Sequence, residues 1–425
     1  MIDIKLIREN PERFKKAAKD KNIEVDIDLL LKVDAELSAT KQRLQDIATE
    51  KNRIGKSIPK SAGQEKQGAL AQLAKLKADE PQFEEKVKQL QPEFDALMLL
   101  VAQPADDDVP LGKDDTENIE LRREGQVRQF DFKPKDHVQL GVELGIIDID
   151  RGVKLAGTRN YFLKGDGARL HWAVLQFAMD VMVSRGYTPM SVPLLMKDDA
   201  MRGTGYYPGS EEQTYRMEKD EVNLAGTAEV PLTAYRMGEI VNEEDLPLKF
   251  AGMSTCFRRE AGAAGKDTYG LYRIHQFDKV EQVVICKNSV EDSNKYHEEI
   301  LANSEVVMRA LELPYRVVVV CTGDLGRGQA KKYDIEAWMP SRGNYCETHS
   351  ASKFYDFQAR RMNLRYKESA TKKNVFCHTL NNTVIASPRI LIPILELYQN
   401  ADGSVTIPKV LQSYMGGQEQ IIRRS

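Results

Sequence analysis

Residues 255–285 read TCFRREAGAAGKDTYGLYRIHQFDKVEQVVI. Both ends of this stretch are apolar and suit strands, while its middle sets Gly262, Gly265 and Gly270 among arginine, lysine and aspartate, with Gly252 a little upstream. The pattern predicts a hairpin whose loop holds a polyanion, because arginine grips phosphate through a planar fork and glycine lets the backbone come close. On charge alone a solvated hairpin fits equally well. The phosphate loop GxxxxGK[ST] and a GxGxxG following a strand are both absent, so neither common nucleotide fingerprint applies.

Around this stretch, short apolar runs such as 280–286 and 317–320 are interleaved with helical stretches such as 169–185. The strand candidates do not fall at regular βαβ spacing, which predicts an α+β domain with antiparallel character. The whole chain has 425 residues, enough for two or three domains. Its 41% apolar and 29% charged residues are ordinary for a globular protein, and no run approaches the roughly 18 to 20 apolar residues of a membrane span. No membrane association is expected. The start, MIDIKLIRENPE, shows no apolar block behind a basic one, so no secretory signal is read and a cytoplasmic location is expected. Five cysteines without CxxC spacing exclude a disulfide framework and a zinc knuckle. With 61 basic against 64 acidic residues the net charge is -3, and any basic surface has to be local.

Upstream, residues 30–101 carry two heptad-like registers. The first is Leu30, Val33, Leu37, Thr40, Leu44, Ile47, Ile54 and Ile58, broken by Lys51; the second is Leu73, Leu76, Phe83, Val87, Leu90, Phe94, Leu97 and Val101, broken by Glu80. Pro59, Gly63 and Gly68 separate them, which predicts an antiparallel helical hairpin with arms on the order of 40 Å at about 1.5 Å per residue. Pro81 and Pro92 each remove a helical hydrogen bond at roughly 3 kcal/mol, so kinks or a break are expected in the second arm. A dimerising coiled coil has the same register. The tip adds something different: residues 51–66 hold Lys51, Arg53, Lys56, Lys60 and Lys66 against Glu65 alone, a local net charge of +4 that suits a phosphate-facing surface or a solvated polar tip. Residues 103–120, QPADDDVPLGKDDTENIE, carry seven acidic residues and two prolines with almost nothing to bury, and read as a linker. The expected division is an arm domain over 1–102, the acidic linker over 103–120 and a catalytic domain over 121–425.

The run FRRE at Phe257–Glu260, followed by AGAAGKDTYGL and HQFDKVE, resembles motif 2 of class II aminoacyl-tRNA synthetases in its seryl-tRNA synthetase form. The resemblance extends over the chain through MIDIKLIRENPE, the hairpin, GTAEVPLT from Gly226, CTGDLG from Cys321, DFQARRMN from Asp356, HTLNN from His378 and IPKVLQSYMGG from Ile407. It implies a class II catalytic domain on an antiparallel sheet flanked by helices, behind a coiled-coil arm. It implies ATP-dependent activation of L-serine to seryl-adenylate, with magnesium, and transfer of the seryl group to tRNA(Ser), with tRNA(Sec) as a further candidate. The alternatives are a synthetase-like ligase that loads a carrier protein and a catalytically silent tRNA-binding paralogue.

By the same resemblance Arg258 and Arg389 are the catalytic arginines, on the α-phosphate and near the γ-phosphate, where in-line displacement needs positioning and charge neutralisation rather than a base. ATP is expected on Arg258, Arg259, Glu260, Phe277, Arg389 and the run Glu347, Thr348, His349 and Ser350, with Glu260 at the adenine amino group, Phe277 stacked on the ring, and Glu347 and Ser350 holding magnesium. Serine is expected on Thr227, Ala228, Glu229, Arg258, Glu281 and Thr383, the last two at its hydroxyl. A pocket built for that hydroxyl rejects alanine by leaving its own polar groups unpaired. The tip residues Lys51, Arg53, Lys56, Lys60 and Lys66 are expected on tRNA, and His275 and His378 are expected to have hydrogen-bonding or core roles. Pairing through the motif 1 region, 169–195 with Pro193, implies a homodimer. Arg259, Arg327, His349, Lys353, Pro388 and Pro393 depart from the commonest family sequence, and the two prolines bear on the start of the helix after Arg389.

Overall fold

The computed structural model describes residues 1–262 and 267–423, so Gly265 and its neighbours at 263–266 lie outside the described residues. The chain divides into two compact units, residues 2–102 and residues 103–425 with Met1.

In the first unit α1 (Ile4–Glu9) and α2 (Pro11–Asp20) precede the long pair α3 (Ile27–Ser57) and α4 (Gly63–Leu100). The first three starts are capped: Asp3 accepts from the Lys5 backbone N–H, Asn10 from that of Arg13 with Pro11 in the first turn, and Asp26 from that of Leu29. The expected registers are the partly or fully buried positions of both arms, with Leu30, Val33, Leu37, Ile47 and Ile54 closed off on α3. The two residues that break these registers meet each other: Lys51 Nζ lies 2.5 Å from Glu80 Oε2, their side chains 26% and 25% exposed. Lys41 donates to Gln91 and Lys86 pairs with Glu36 nearer the base. The break expected at Pro81 or Pro92 does not occur, since α4 runs unbroken. Both prolines are exposed, as are Lys77 and Lys88, whose carbonyls lose their donors, so these turns are open to solvent.

The second unit is built on an eight-stranded sheet of β1 (Ile119–Glu124), β2 (Thr188–Met190), β3 (Leu248–Phe257), β4 (Gln276–Cys286), β5 (Tyr315–Val319), β6 (Lys331–Met339), β7 (Asn344–Tyr355) and β8 (His378–Ser387). Its order is β1-β5-β6-β7-β8-β4-β3-β2, antiparallel throughout except for the edge pair β2 and β3. Helices α5 (Asp166–Ser184) and α7 (Val290–Ala310) cover one face, where Val280, Val284 and Leu380 pack with Val174, Ile300 and Val307. The opposite face receives the short helices α6 (Glu229–Ala234) and α8 (Phe357–Met362), which pack on Val283, Ile285 and Phe250. Strand parity therefore sorts β4: its even-numbered residues from 280 to 284 meet the long helices, and Phe277, Lys279 and Glu281 project from the other face.

The acidic run 103–120 is not a bare linker. It lies along the second unit, with the Gln103 N–H donating to Arg327 O and the Asp106 N–H to Ala330 O. Lys353, only 2% exposed, sits 2.6 Å from Asp106, whose carboxylate also accepts from the Tyr355 hydroxyl at 2.8 Å. Lys331 is 2.5 Å from Asp108 and holds its carboxyl below the usual range against the opposing effect of burial. A buried ammonium needs a counter-charge, and this run supplies two. Proline is accommodated in α9 (Leu391–Leu397) because Pro393 occupies the first turn, where the N–H has no intrahelical partner.

Candidate active site

The face of the sheet away from α5 and α7 carries one cleft lined from β4, β7, β8, α6 and the segment that follows β3. It brings together Glu229, Arg258, Glu260, Phe277, Glu281, Glu347, Thr348, Ser350, Thr383 and Arg389. Two ladder irregularities make this set. On β7 the register passes from His349, opposite Ile335, to Glu347, opposite Glu336, leaving Thr348 unmatched. The extra residue turns Glu347 onto the face of Ser350, which strict alternation forbids at a spacing of three. On β8 the pairing jumps from Ile385, opposite Val280, to Thr383, opposite Glu281, and sets the hydroxyl beside the carboxylate at 3.4 Å.

At one part of the cleft two carboxylates are buried together. Glu229 is 8% and Glu281 2% exposed. Glu229 opens α6, its backbone N–H donating to the Thr227 hydroxyl; its carboxylate accepts from Tyr206 at 3.0 Å and from Gln358 at 2.9 Å. Burial, and next the charge of Glu281, push its pKa up to about 7, with Lys279, Tyr206 and Gln358 opposing. Lys279, 5% exposed, is ion-paired with Glu281 and lies 3.5 Å from the Thr383 hydroxyl.

Elsewhere the cleft is cationic. Arg389 donates from Nη1 to the Glu347 carbonyl and from Nε to the Tyr272 carbonyl, both at 3.2 Å, and stacks over the Tyr272 ring at 4.5 Å. Desolvation opposes the charge of Glu347, but Arg389, Lys332 and Arg258 outweigh it and hold its carboxyl below the usual range. Arg258 stacks 5.2 Å over Phe277 and donates to the Gly226 carbonyl. Glu260, at φ +52°, is held by Arg273 at 2.7 Å.

Several expected residues do not face the cleft. His349 is turned to the helix-covered side, its Nε2 3.0 Å from the Val384 carbonyl; burial drives its pKa down to about 4. Arg259 is exposed and outside the lining, its backbone N–H donating to the Gln213 carbonyl. Thr227 and Ala228 are buried behind Glu229 rather than at the surface of the cavity. His275 hydrogen-bonds the Arg258 carbonyl through Nδ1 at 3.0 Å, and His378 meets Ser293 at 2.7 Å. Conversely Tyr206, Tyr272, Arg273, Lys279 and Gln329 line the cleft without having been expected there. For Lys279 the signal was present: it lies two residues before Glu281 on a strand, hence on the same face.

Two family models match the chain: the seryl-tRNA synthetase N-terminal domain over residues 1–103 and the class II tRNA synthetase core domain for glycine, histidine, proline, serine and threonine over residues 213–398. A serine-tRNA ligase of Deinococcus radiodurans is 46% identical over 419 residues, covering 99% of this chain and 98% of that protein. The chain belongs to the seryl-tRNA synthetase family. The seryl-tRNA synthetase of Pyrococcus horikoshii, solved in complex with ATP, superposes with a TM-score of 0.93 at 37% identity and 100% coverage of both chains. The cytoplasmic serine-tRNA ligase of Naegleria fowleri, solved with AMP, gives 0.89 at 33% identity, covering 100% of this chain and 99% of that one. As a seryl-tRNA synthetase family member the chain thus carries both the N-terminal hairpin unit and the class II core over its full length.

Proposed function

We propose that the protein activates L-serine with ATP and transfers the seryl group to tRNA(Ser). The observation that carries this reading is that one cleft joins a buried carboxylate pair, suited to an amino acid's ammonium and hydroxyl, to a set of arginines suited to a triphosphate. In the first step a serine carboxylate oxygen forms a bond to the α-phosphorus of ATP while the bond to pyrophosphate breaks. Arg258 neutralises the α-phosphate, Arg389 the departing end, and neither has to move a proton. Phe277 stacks on adenine and Glu260 accepts from its amino group once it exchanges the Arg273 contact for the base. Glu229 takes the ammonium, and Glu281 with Thr383 the hydroxyl. In the second step the terminal ribose hydroxyl of tRNA attacks the seryl carbonyl carbon and AMP leaves.

Magnesium fits the residues present: Glu347 and Ser350 offer hard oxygens on the cleft wall, and that ion is usually held by one or two carboxylates together with substrate phosphates. When bound it supplies charge neutralisation between phosphates. Lys56, Lys60 and Lys66, exposed at the hairpin tip, make no ion pair among the described residues and are the surface offered to tRNA phosphates, whereas Lys51 is already engaged by Glu80 and Arg53 by Glu50. The arm over 1–102 recognises tRNA and the unit over 103–425 performs the chemistry.

The active form is a homodimer. Trp172 on α5 is 64% exposed beside Leu155 and Phe162, an apolar patch that a second copy would cover. No helix among the described residues is long and apolar enough to cross a membrane, and five free buried cysteines suit the reducing cytoplasm. The test is serine-dependent exchange of labelled pyrophosphate into ATP. Exchange with serine, weak with threonine and alanine, is expected; its absence with serine overturns the reading. Scattering should give twice the chain mass, and a monomer mass would contradict the dimer.

A further inference from the structure

Two carboxylates buried side by side repel each other, and each pays its full desolvation unless a cation is near. Glu229 and Glu281 are in this position, and among the described residues the one buried cation in contact with either is Lys279, ion-paired with Glu281 on the same face of β4. The groups that face this trio come from every neighbouring element. Tyr206, following the 198–204 helix, and Gln358 on α8 donate to Glu229; Cys256 lies on β3 and Arg258 directly follows it; Thr383 on β8 lies 3.5 Å from Lys279 and 3.4 Å from Glu281. Lys279 and the two acids together carry a single negative charge, which the ammonium of serine matches, while Arg258 is the cation assigned to the α-phosphate. Without Lys279 the two acids would face one ligand ammonium with no counter-charge between Glu281 and Thr383.

Resting on the serine pocket proposed above, we propose that Lys279 is a positioning residue for serine selection. Its ammonium, set between Glu281 and Thr383, is the counter-charge that lets Glu281 serve the substrate hydroxyl while Glu229 is left to serve the amino group. Lys279 does not touch the reacting phosphate or carboxylate. It acts through the two acids, so its removal should alter serine recognition and its pH dependence before it alters ATP binding. The direction follows from Glu229, whose pKa of about 7 is already raised by burial and by Glu281 and held back by Lys279. Loss of the ammonium raises it further, so the neutral form, which cannot pair with serine's ammonium, persists to higher pH.

The test is the pH dependence of kcat/KM for serine in pyrophosphate exchange, which reports ionisations of the free enzyme and substrate. In the unmodified enzyme activity should fall as pH drops through a midpoint near 7. Lys279→Met should move that midpoint up by about one unit and lower kcat/KM at neutral pH by roughly tenfold or more, with the KM for ATP held within about twofold. In Lys279→Met/Glu281→Gln the midpoint should return to the original value, because the repelling charge has gone with its partner. An unmoved midpoint in Lys279→Met, or equal rises in the KM values for serine and ATP, would overturn the proposal and leave Lys279 a packing residue. Should Lys279→Met fail to fold, the other edge of the same cycle decides. Glu281→Gln should lower the midpoint and adding Lys279→Met should raise it again, and identical midpoints would overturn the proposal. If the unmodified enzyme shows no serine-dependent exchange, the functional reading fails instead.

Discussion

At the hairpin tip, Lys56, Lys60 and Lys66 stand in water, while in the cleft Glu229, Lys279 and Glu281 are more than nine-tenths buried. Both regions present charge to a ligand, but on different physical terms. Exposed lysines interact at high dielectric, are screened over roughly 8 Å at physiological salt, and carry no geometric demand beyond proximity to phosphates. Buried charges interact strongly and cannot be left unpaired, so each needs a partner fixed to a fraction of an ångström. The hairpin can therefore be built from a repeating register with its charges added on the outside. The cleft requires ladder irregularities, a buried lysine and hydrogen bonds from Tyr206 and Gln358 before it can hold two acids.

The comparison is broken most sharply at Arg258. Arg258→Ala should lower serine-dependent pyrophosphate exchange by about a thousandfold, since a preorganised donor at a developing charge is worth that order; a loss under tenfold would remove Arg258 from the reaction. Next in size is the cost of burying charge. Glu229 is raised from 4.5 to about 7 by burial, so the folded state binds more protons than the unfolded one between those values and loses stability as pH rises through that window. Glu229→Gln should thus weaken serine activation by about a hundredfold while melting several degrees higher, relative to the unmodified protein, at pH 8 than at pH 5. An equal melting difference at the two pH values would contradict the buried-charge argument.

At the tip, replacing Lys56, Lys60 and Lys66 together by alanine should lower kcat/KM for tRNA charging by roughly tenfold or more at low salt, shrinking as salt is added, with exchange unchanged. A salt-independent loss would mean that the tip acts through shape. Smallest is the Lys51 and Glu80 pair. Partly open to solvent, it should show a coupling of about 0.5 kcal/mol or less in a double-mutant cycle read by thermal melting, and replacing both by leucine should raise the melting temperature of the hairpin.

The same contrast explains what the sequence made legible. The hairpin is written in repeats, so its arms, its seam and even the two residues that interrupt the seam can be found by counting; what counting misses is that Lys51 and Glu80 cancel each other, because register across the hairpin is a tertiary property. The break considered at Pro81 or Pro92 is absent for a related reason: a proline's effect depends on whether water can reach the freed carbonyl, and both sites are exposed. In the second unit, composition shows strands and helices but not which face a residue takes. Glu347 and Ser350 share a wall only because Thr348 is an extra residue in its ladder, and His349, adjacent to both, is sent to the helix side. Family resemblance names these residues together, and the structure sets the side chains of His349 and Arg259 apart from the rest. The acidic run 103–120 looked unfit for packing because its partners, Lys331 and Lys353, lie more than two hundred residues away.

The most direct test of this division is to measure pyrophosphate exchange and tRNA charging side by side on the protein lacking residues 30–100. Exchange within about twofold of the full chain, with charging lost by a hundredfold or more, is the expected result. Charging that survives the deletion, or exchange that disappears with it, would contradict the assignment of RNA to the hairpin and chemistry to the buried cleft.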